Sequence, residues 1–162
     1  MILTAEHVPG GAAVLNPFVI VDDASHLITF VLAVLGGSEN EDARTPTPDG
    51  RLIHAEVDLG GVTLMIADRL DGWAARPGLL QVWVADVQTT LDAAVTHGAS
   101  IVTPVTPFYG ERDLGRMLDP FGNLWWLYAP APGQADPVPA WEGGDDVVFR
   151  TIDDAMKGFA RG

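Results

Sequence analysis

The stretch Gly115-Arg116-Met117-Leu118-Asp119-Pro120-Phe121-Gly122-Asn123-Leu124-Trp125-Trp126-Leu127-Tyr128 decides the fold. Its middle is turn chemistry: Pro120 presets φ, Gly122 can adopt positive φ, and Asp119 and Asn123 can bond back to nearby backbone. Apolar, aromatic-rich runs on both sides make the whole a β-hairpin. Side chains alternate along a strand, so Trp125 and Trp126 point to opposite faces. Trp125 is expected in a core beneath a helix, and Trp126 on the other side of the sheet.

Working outward, the hairpin has a counterpart. His54 to Ile66 lies over Gly115 to Leu127, with Asp58 over Asp119 and Gly61 over Gly122, and Ile20-Val21-Asp22-Asp23 lies over Val84-Ala85-Asp86-Val87. In the first half, Pro17 to Val21 reads as a strand and Asp22-Asp23 as the cap of a helix to Leu35, closed by Gly36-Gly37. That helix is apolar nearly all round, so another element or a second subunit is expected to cover it. Residues 39 to 50 read as a loop with at most one weak edge strand. Leu52 to Leu59 and Val62 to Ala67 are strands joined at Gly60-Gly61. The strand at 52 to 59 alternates: Leu52, His54, Glu56 and Asp58 share one face, and Ile53, Ala55, Val57 and Leu59 the other.

The second half repeats the plan. Leu79 to Val84 is a strand, and Asp86 caps a helix from Val87 to His97 that Gly98 ends. Ile101 to Val105 is a strand, Pro107 to Asp113 a loop, and the opening hairpin follows. The fold class is therefore α+β, with tandem βαβββ modules over about residues 16–68 and 79–129. Together they are expected to form a curved mixed sheet with a concave cup, a single domain over residues 1–129. Residues 130–162 read as a Pro-rich linker and a short helical appendage. Trp141 and Val147-Val148-Phe149 are apolar enough to dock it. Thr151 and Asp154 resemble a capping box opening a helix through Phe159.

Composition narrows the function. The 162 residues carry 22 acidic and 9 basic side chains, a formal charge of −13 that opposes nucleic acid or anionic membrane as partner. No cysteine is present, which removes disulfides, thiolate metal sites and cysteine nucleophiles. The first residues lack a signal-peptide pattern, and no apolar run reaches the ~18 residues a membrane span requires. A cytoplasmic protein is the expectation.

The chain resembles the vicinal oxygen chelate superfamily (glyoxalase I, bleomycin-resistance proteins and extradiol dioxygenases), and within it the PhnB-like branch. The likeness is carried by Pro17-Phe18-Val19-Ile20-Val21-Asp22-Asp23-Ala24, His54-Ala55-Glu56-Val57, Leu64-Met65-Ile66-Ala67-Asp68 and Val84-Ala85-Asp86-Val87. Tyr109-Gly110-Glu111-Arg112 and Asp119-Pro120-Phe121-Gly122-Asn123-Leu124-Trp125-Trp126 complete it. It spans about residues 16 to 129 and implies paired βαβββ modules, commonly in a homodimer.

In metal-dependent members of that superfamily, His, Gln or Glu ligands come from the first and last strands of each module. The resemblance carries those positions onto Pro17, Met65, Gln81 and Trp126, of which only Gln81 offers a suitable donor. No metal and no other cofactor is therefore expected. His54 and Glu56, two apart on one strand, are candidates for a base and its orienting carboxylate, or form a plain hydrogen-bonded pair. Tyr109, Arg112 and Arg116 can position an anionic or carbonyl group. His26 on the first helix suits a core or interface role, and His97 a helix C-terminus.

The leading expectation is a metal-free small-molecule binding protein, dimeric, that sequesters a cationic or aromatic drug or metabolite. Ligand-binding candidates are Met65, Gln81, Trp126, Tyr109 and Arg116. The alternative is a lyase or isomerase of the superfamily with a non-standard site at His54 and Glu56. A structural module using the helix at 24 to 35 for association is a third expectation.

Overall fold

The computed structural model describes residues 7–8, 13–108, 111–133 and 147–159. The chain divides into two compact units, Met1–Gly78 and Leu79–Gly162. Each is built as strand, helix and antiparallel strands, so the fold is α+β.

The first unit contains β1 (Phe18–Val21), α1 (Ala24–Leu35), β2 (Ser38–Glu39), a 3₁₀ turn at Glu41–Ala43, β3 (Thr45–Pro46), β4 (Leu52–Asp58) and β5 (Thr63–Asp68). The strands lie in the order β1-β5-β4-β2, with β1 parallel to β5 and β3 pairing β4. Asp23 caps α1 by accepting from the His26 amide, and Gly36 ends it at φ 75°. α1 packs on β5, β1, β4 and β2, and Leu27, Ile28, Phe30 and Val31 are buried, so its own sheet supplies cover for the apolar helix. Asp68 is buried where β5 ends. It accepts from the Ala24 amide at 2.8 Å and the Leu52 amide at 2.6 Å, tying the start of α1 to the start of β4.

The loop expected at 39 to 50 holds two short edge pairings rather than one. Along β3, the partners step from His54 to Leu52, leaving Ile53 as an extra residue. Such a bulge re-aims side chains. Accordingly Leu52 is buried and Ile53 exposed, the reverse of simple alternation.

The second unit contains β6 (Leu79–Trp83), α2 (Val87–Thr96), β7 (Ser100–Phe108), β8 (Arg112–Leu118), β9 (Leu124–Pro130) and α3 (Val147–Phe159). Its sheet order is β6-β9-β8-β7, with β6 parallel to β9. Asp86 caps α2 through the Thr89 amide, and Gly98 follows the helix at φ 91°. α2 seats against Gly115. A Cβ there would stand 2.6 Å from Val87 Cγ1 and 3.1 Å from Leu91 Cδ1, so the close approach requires glycine. Trp125 and Leu127 share that face and are buried.

Two expectations fail here. β7 runs on through Pro107 and Phe108, which pair with Asp113 and Arg112, so residues 107–113 are not all loop. β7 is an edge strand, where proline's missing N–H forfeits no ladder bond on the outer side. α3 begins at Val147, not at Thr151. The Thr151 hydroxyl instead donates to the Val147 carbonyl at 2.6 Å inside the helix. Trp141 and most of the linker lie outside the described residues.

The turn at 119–123 is built around one buried carboxylate. Asp119 accepts from the Phe121 amide (2.9 Å), the Asn123 amide (2.9 Å), Asn123 Nδ2 (2.8 Å) and Trp125 Nε1 (3.0 Å). Gly122 takes φ 87°, as its place in the turn demands.

Candidate functional site

Sheet register aligns the two units and revises the repeat by one residue in two places. The equivalent helix caps are Asp23 and Asp86, not Asp22 and Asp86. Phe18 pairs with Met65 as Gln81 pairs with Trp126, so Phe18 rather than Pro17 is the counterpart of Gln81. Pro17 contributes only its carbonyl, which accepts from the Met65 amide at 2.9 Å. Within the hairpins, Asp58 pairs with Thr63 while Leu118 pairs with Leu124. The second turn is thus one residue longer, Asp119 has no sheet counterpart, and Glu56 corresponds to Arg116.

The four metal-ligand positions of the superfamily then carry a phenyl ring, a thioether, a primary amide and an indole. That donor set does not fit a divalent metal, which requires about three nitrogen or oxygen donors at one point. Among the described residues, no group of three His, Asp or Glu side chains could hold an ion.

The face of the second sheet away from α2 is where chemistry gathers. Trp126 and Tyr128 of β9 alternate with the residues under α2, and their cross-strand partners Gln81, Trp83, Leu114 and Arg116 share their face. Trp83 and Tyr128 have ring centroids 5.5 Å apart, and Phe108 stands 6.0 Å from Tyr128. Two guanidiniums lie over indoles: Arg112 at 5.3 Å from the Trp83 centroid, and Arg116 at 5.0 Å from that of Trp126. Both distances are within cation–π range.

α3 divides this face. Val148 is buried against Leu114 and Tyr128, with Phe108, Trp126 and Val147 packed around them. Arg116, only 5% exposed, donates from Nη1 to the Val148 carbonyl at 2.7 Å and to the Thr103 hydroxyl at 3.1 Å. The Thr103 and Thr151 hydroxyls share a further bond at 2.7 Å. Arg116 and Trp126 therefore line a part of the face already occupied by the chain's own C-terminal helix. The strip nearer β6 stays open: Gln81 is exposed, and Trp83 is 52% exposed. A separate shallow pocket of about 450 Å³ runs along α3, lined by Phe149, Arg150, Ile152, Asp153 and Met156.

In the first unit, His54 Nε2 lies 3.0 Å from Glu56 Oε1, and Asn40 Nδ2 donates to Glu56 Oε2 at 3.0 Å. These bonds, from His54 first and Asn40 second, hold the Glu56 carboxyl below its ordinary value. Met65 is the cross-strand neighbour of Glu56. Tyr109 lies outside the described residues. Trp83 and Tyr128 are not among the ligand-binding candidates that the sequence offers, whereas Arg112 is, as a group able to position an anion. The signal for Trp83 was its place two residues beyond Gln81, on the same face of one strand.

The chain belongs to the Glyoxalase/Bleomycin resistance protein/Dioxygenase superfamily, whose sequence profile matches residues 12–127. An uncharacterized protein of Mycobacterium bovis is 32% identical over 128 residues, covering 72% of this chain and 82% of that protein. An uncharacterized protein of Mycobacterium tuberculosis is equally similar, at 32% identity over 72% of this chain and 74% of its own length. Among solved structures, TioX from Micromonospora sp. ML1 is similar with a TM-score of 0.56 and 21% identity, covering 72% of this chain and 98% of its own. The fosfomycin resistance protein FosX of Listeria monocytogenes is similar with a TM-score of 0.57 and 14% identity, over 73% and 93%. At these identities the structural likenesses show the shared fold.

Proposed function

We propose that this protein is a metal-free small-molecule binding protein of the superfamily, with its ligand on the open face of the second unit's sheet. The observation that carries the reading is the exposed Gln81 and Trp83 set beside Tyr128 and Arg112 on that face, with Gln81 and its neighbour Trp126 at positions where metal-dependent relatives keep ligands. Large flat side chains with a few placed polar groups are what small-ligand sites are made of. Sequestration of an antibiotic is one use of such a face, and the structural likeness to fosfomycin resistance proteins is compatible with it.

The net charge of −13 taken alone favours a cationic ligand. Local charge outweighs it. Surface carboxylates more than about 8–10 Å away are largely screened at physiological salt, whereas the half-buried Arg112 stacked on Trp83 lies beside the open strip. An aromatic ligand is favoured over a cationic one.

Two measurements test the reading. Metal analysis of the purified protein is expected to find no stoichiometric zinc, nickel, iron or manganese, and a full equivalent of any one overturns it. A calorimetric screen of small aromatic molecules is expected to yield ligands whose affinity falls in Gln81→Ala and Trp126→Ala. Ligands indifferent to both substitutions place the site elsewhere.

One observation favours the second reading, a lyase or isomerase: the 3.0 Å contact of His54 with Glu56. The lowered carboxyl of Glu56 suits it to orient the imidazole rather than to act as base itself. Turnover of any carbonyl substrate that disappears in His54→Gln would support that reading.

A further inference from the structure

The open strip of the second sheet face has a more specific chemistry than the face as a whole. Resting on the reading that this face binds small molecules, we propose that Trp83, Tyr128 and Arg112 form a subsite for an aromatic acid. The planar ring lies on Trp83 beside Tyr128, and an anionic group, carboxylate or sulfonate, is taken by the Arg112 guanidinium.

Three observations converge on it. Trp83 keeps 52% of its surface open on a face whose other aromatic residues are buried or half-buried, and Tyr128 stands 5.5 Å away, centroid to centroid. A half-open indole beside a second ring is a stacking platform. Arg112 Nε is buried and has no hydrogen-bond partner among the described residues. Buried donors are nearly always paired, yet the protein leaves this guanidinium uncompensated at Nε, while the side chain as a whole is only half-buried. Third, no carboxylate among the described residues pairs with Arg112. By contrast Arg44, Arg51, Arg69 and Lys157 all pair with acidic side chains. In a chain with 22 acidic residues, an arginine held over an indole without a carboxylate is poised for an external anion.

Gln81 sits two residues along β6 on the same face and offers an amide to a second polar substituent of the ring. A cationic aromatic molecule meets the same platform but is repelled by Arg112.

The test uses the full chain and three probes of matched shape: 2-naphthoate, 2-naphthamide and 2-naphthylmethylammonium, each titrated by calorimetry. Binding of 2-naphthoate is expected to exceed that of the ammonium probe about tenfold or more, and to fall about tenfold or more in Arg112→Gln and in Trp83→Leu. Arg112→Lys keeps a cation over the indole but loses the planar fork, so it should give an intermediate loss. It also decides the matter if Arg112→Gln melts at a much lower temperature. Unchanged 2-naphthoate binding in both Arg112 variants, or an ammonium probe that binds as tightly as the acid, overturns the aromatic-acid subsite. If the neutral or cationic probe then still loses affinity in Trp83→Leu, the broader small-molecule reading survives. If no probe responds to Trp83→Leu, Gln81→Ala or Trp126→Ala, both fall.

Discussion

Glu56 and Arg116 occupy the same position in two copies of one fold, yet they carry opposite charges and live in opposite surroundings. Glu56 is a partly exposed carboxylate between Met65, His54 and Asn40. Arg116 is a buried cation stacked on Trp126, with its Nη1 bonded to the Val148 carbonyl and the Thr103 hydroxyl. The difference teaches that the repeat conserves the face that packs on the helix and leaves the other face free to diverge. Ala55 and Gly115 face the helices from corresponding places, as do Leu64 and Trp125, and all four are close-packed. Duplicated packing with divergent open faces is how one architecture hosts different chemistries.

The sharpest way to break the comparison is at the turns. Asp58 accepts only a long bond from the Gly61 amide at 3.3 Å, whereas Asp119 gathers four donors, two of them on the buried side chains of Asn123 and Trp125. Removing a buried acceptor strands its donors, so Asp119→Ala is expected to cost about 3–5 kcal/mol in urea unfolding. Asp58→Ala should cost about 0.5 kcal/mol or less, as exposed substitutions usually do. Equal losses would mean that the two turns serve alike.

Next in size is the helix-facing pair. Gly115→Ala forces a methyl against Val87 and Leu91, and is expected to destabilise by about 1–3 kcal/mol. Ala55→Gly in the first unit should cost about 1 kcal/mol, through backbone freedom and a lost methyl rather than a clash. Thermal denaturation of the two variants distinguishes them.

Val148→Ala probes the feature the first unit lacks. Removing that buried side chain is expected to cost about 1–2 kcal/mol and to raise the quenching of tryptophan fluorescence by iodide, as α3 loosens over Trp126. Unchanged quenching would show that the other contacts of α3 hold it in place.

The smallest effect belongs to Glu56. Its folded pKa is depressed, so its contribution is present above the unfolded value near 4.5 and is lost as pH falls through the lower folded value. Glu56→Gln should therefore flatten the acid side of the stability profile by lowering stability modestly at neutral pH, with the variant and the parent converging at the acid end. Urea midpoints at a series of pH values between about 6 and 3 check this.

Much of the fold was legible because local chemistry and periodicity point the same way. Asp86 with Gly98, the Pro120–Gly122 turn and the Trp125/Trp126 alternation all read directly from residue type and spacing. The errors have physical causes. Period-two alternation cannot detect an extra residue, so the bulge at Ile53 reversed the expected faces of Leu52 and Ile53, and the longer turn at Asp119 displaced the hairpin repeat by one. Proline suggested loop at residue 107, but an edge strand tolerates it. Thr151 resembled a cap because threonine suits that place, whereas here its hydroxyl bonds within the helix and across to Thr103.

The candidate site was legible only in part. Gln81 and Trp126 followed from strand position and do share a face. That Arg116 would be covered from residue 148 depends on a contact 32 positions along the chain, which no local pattern encodes. Trp83 and Arg112 come together for the same reason, across β9, which lies between their strands β6 and β8.

The docking of α3 has an evolutionary consequence. The sheet face it covers is written in β8 and β9, but how much of that face a visitor can reach is written in a segment added after the repeat. Lengthening, trimming or repacking that tail redraws the reachable surface while every strand stays as it was. Descendants of one such chain can change what they recognise by editing a C-terminal helix, while the turn bonds of Asp119 that close the hairpin stay within the hairpin itself.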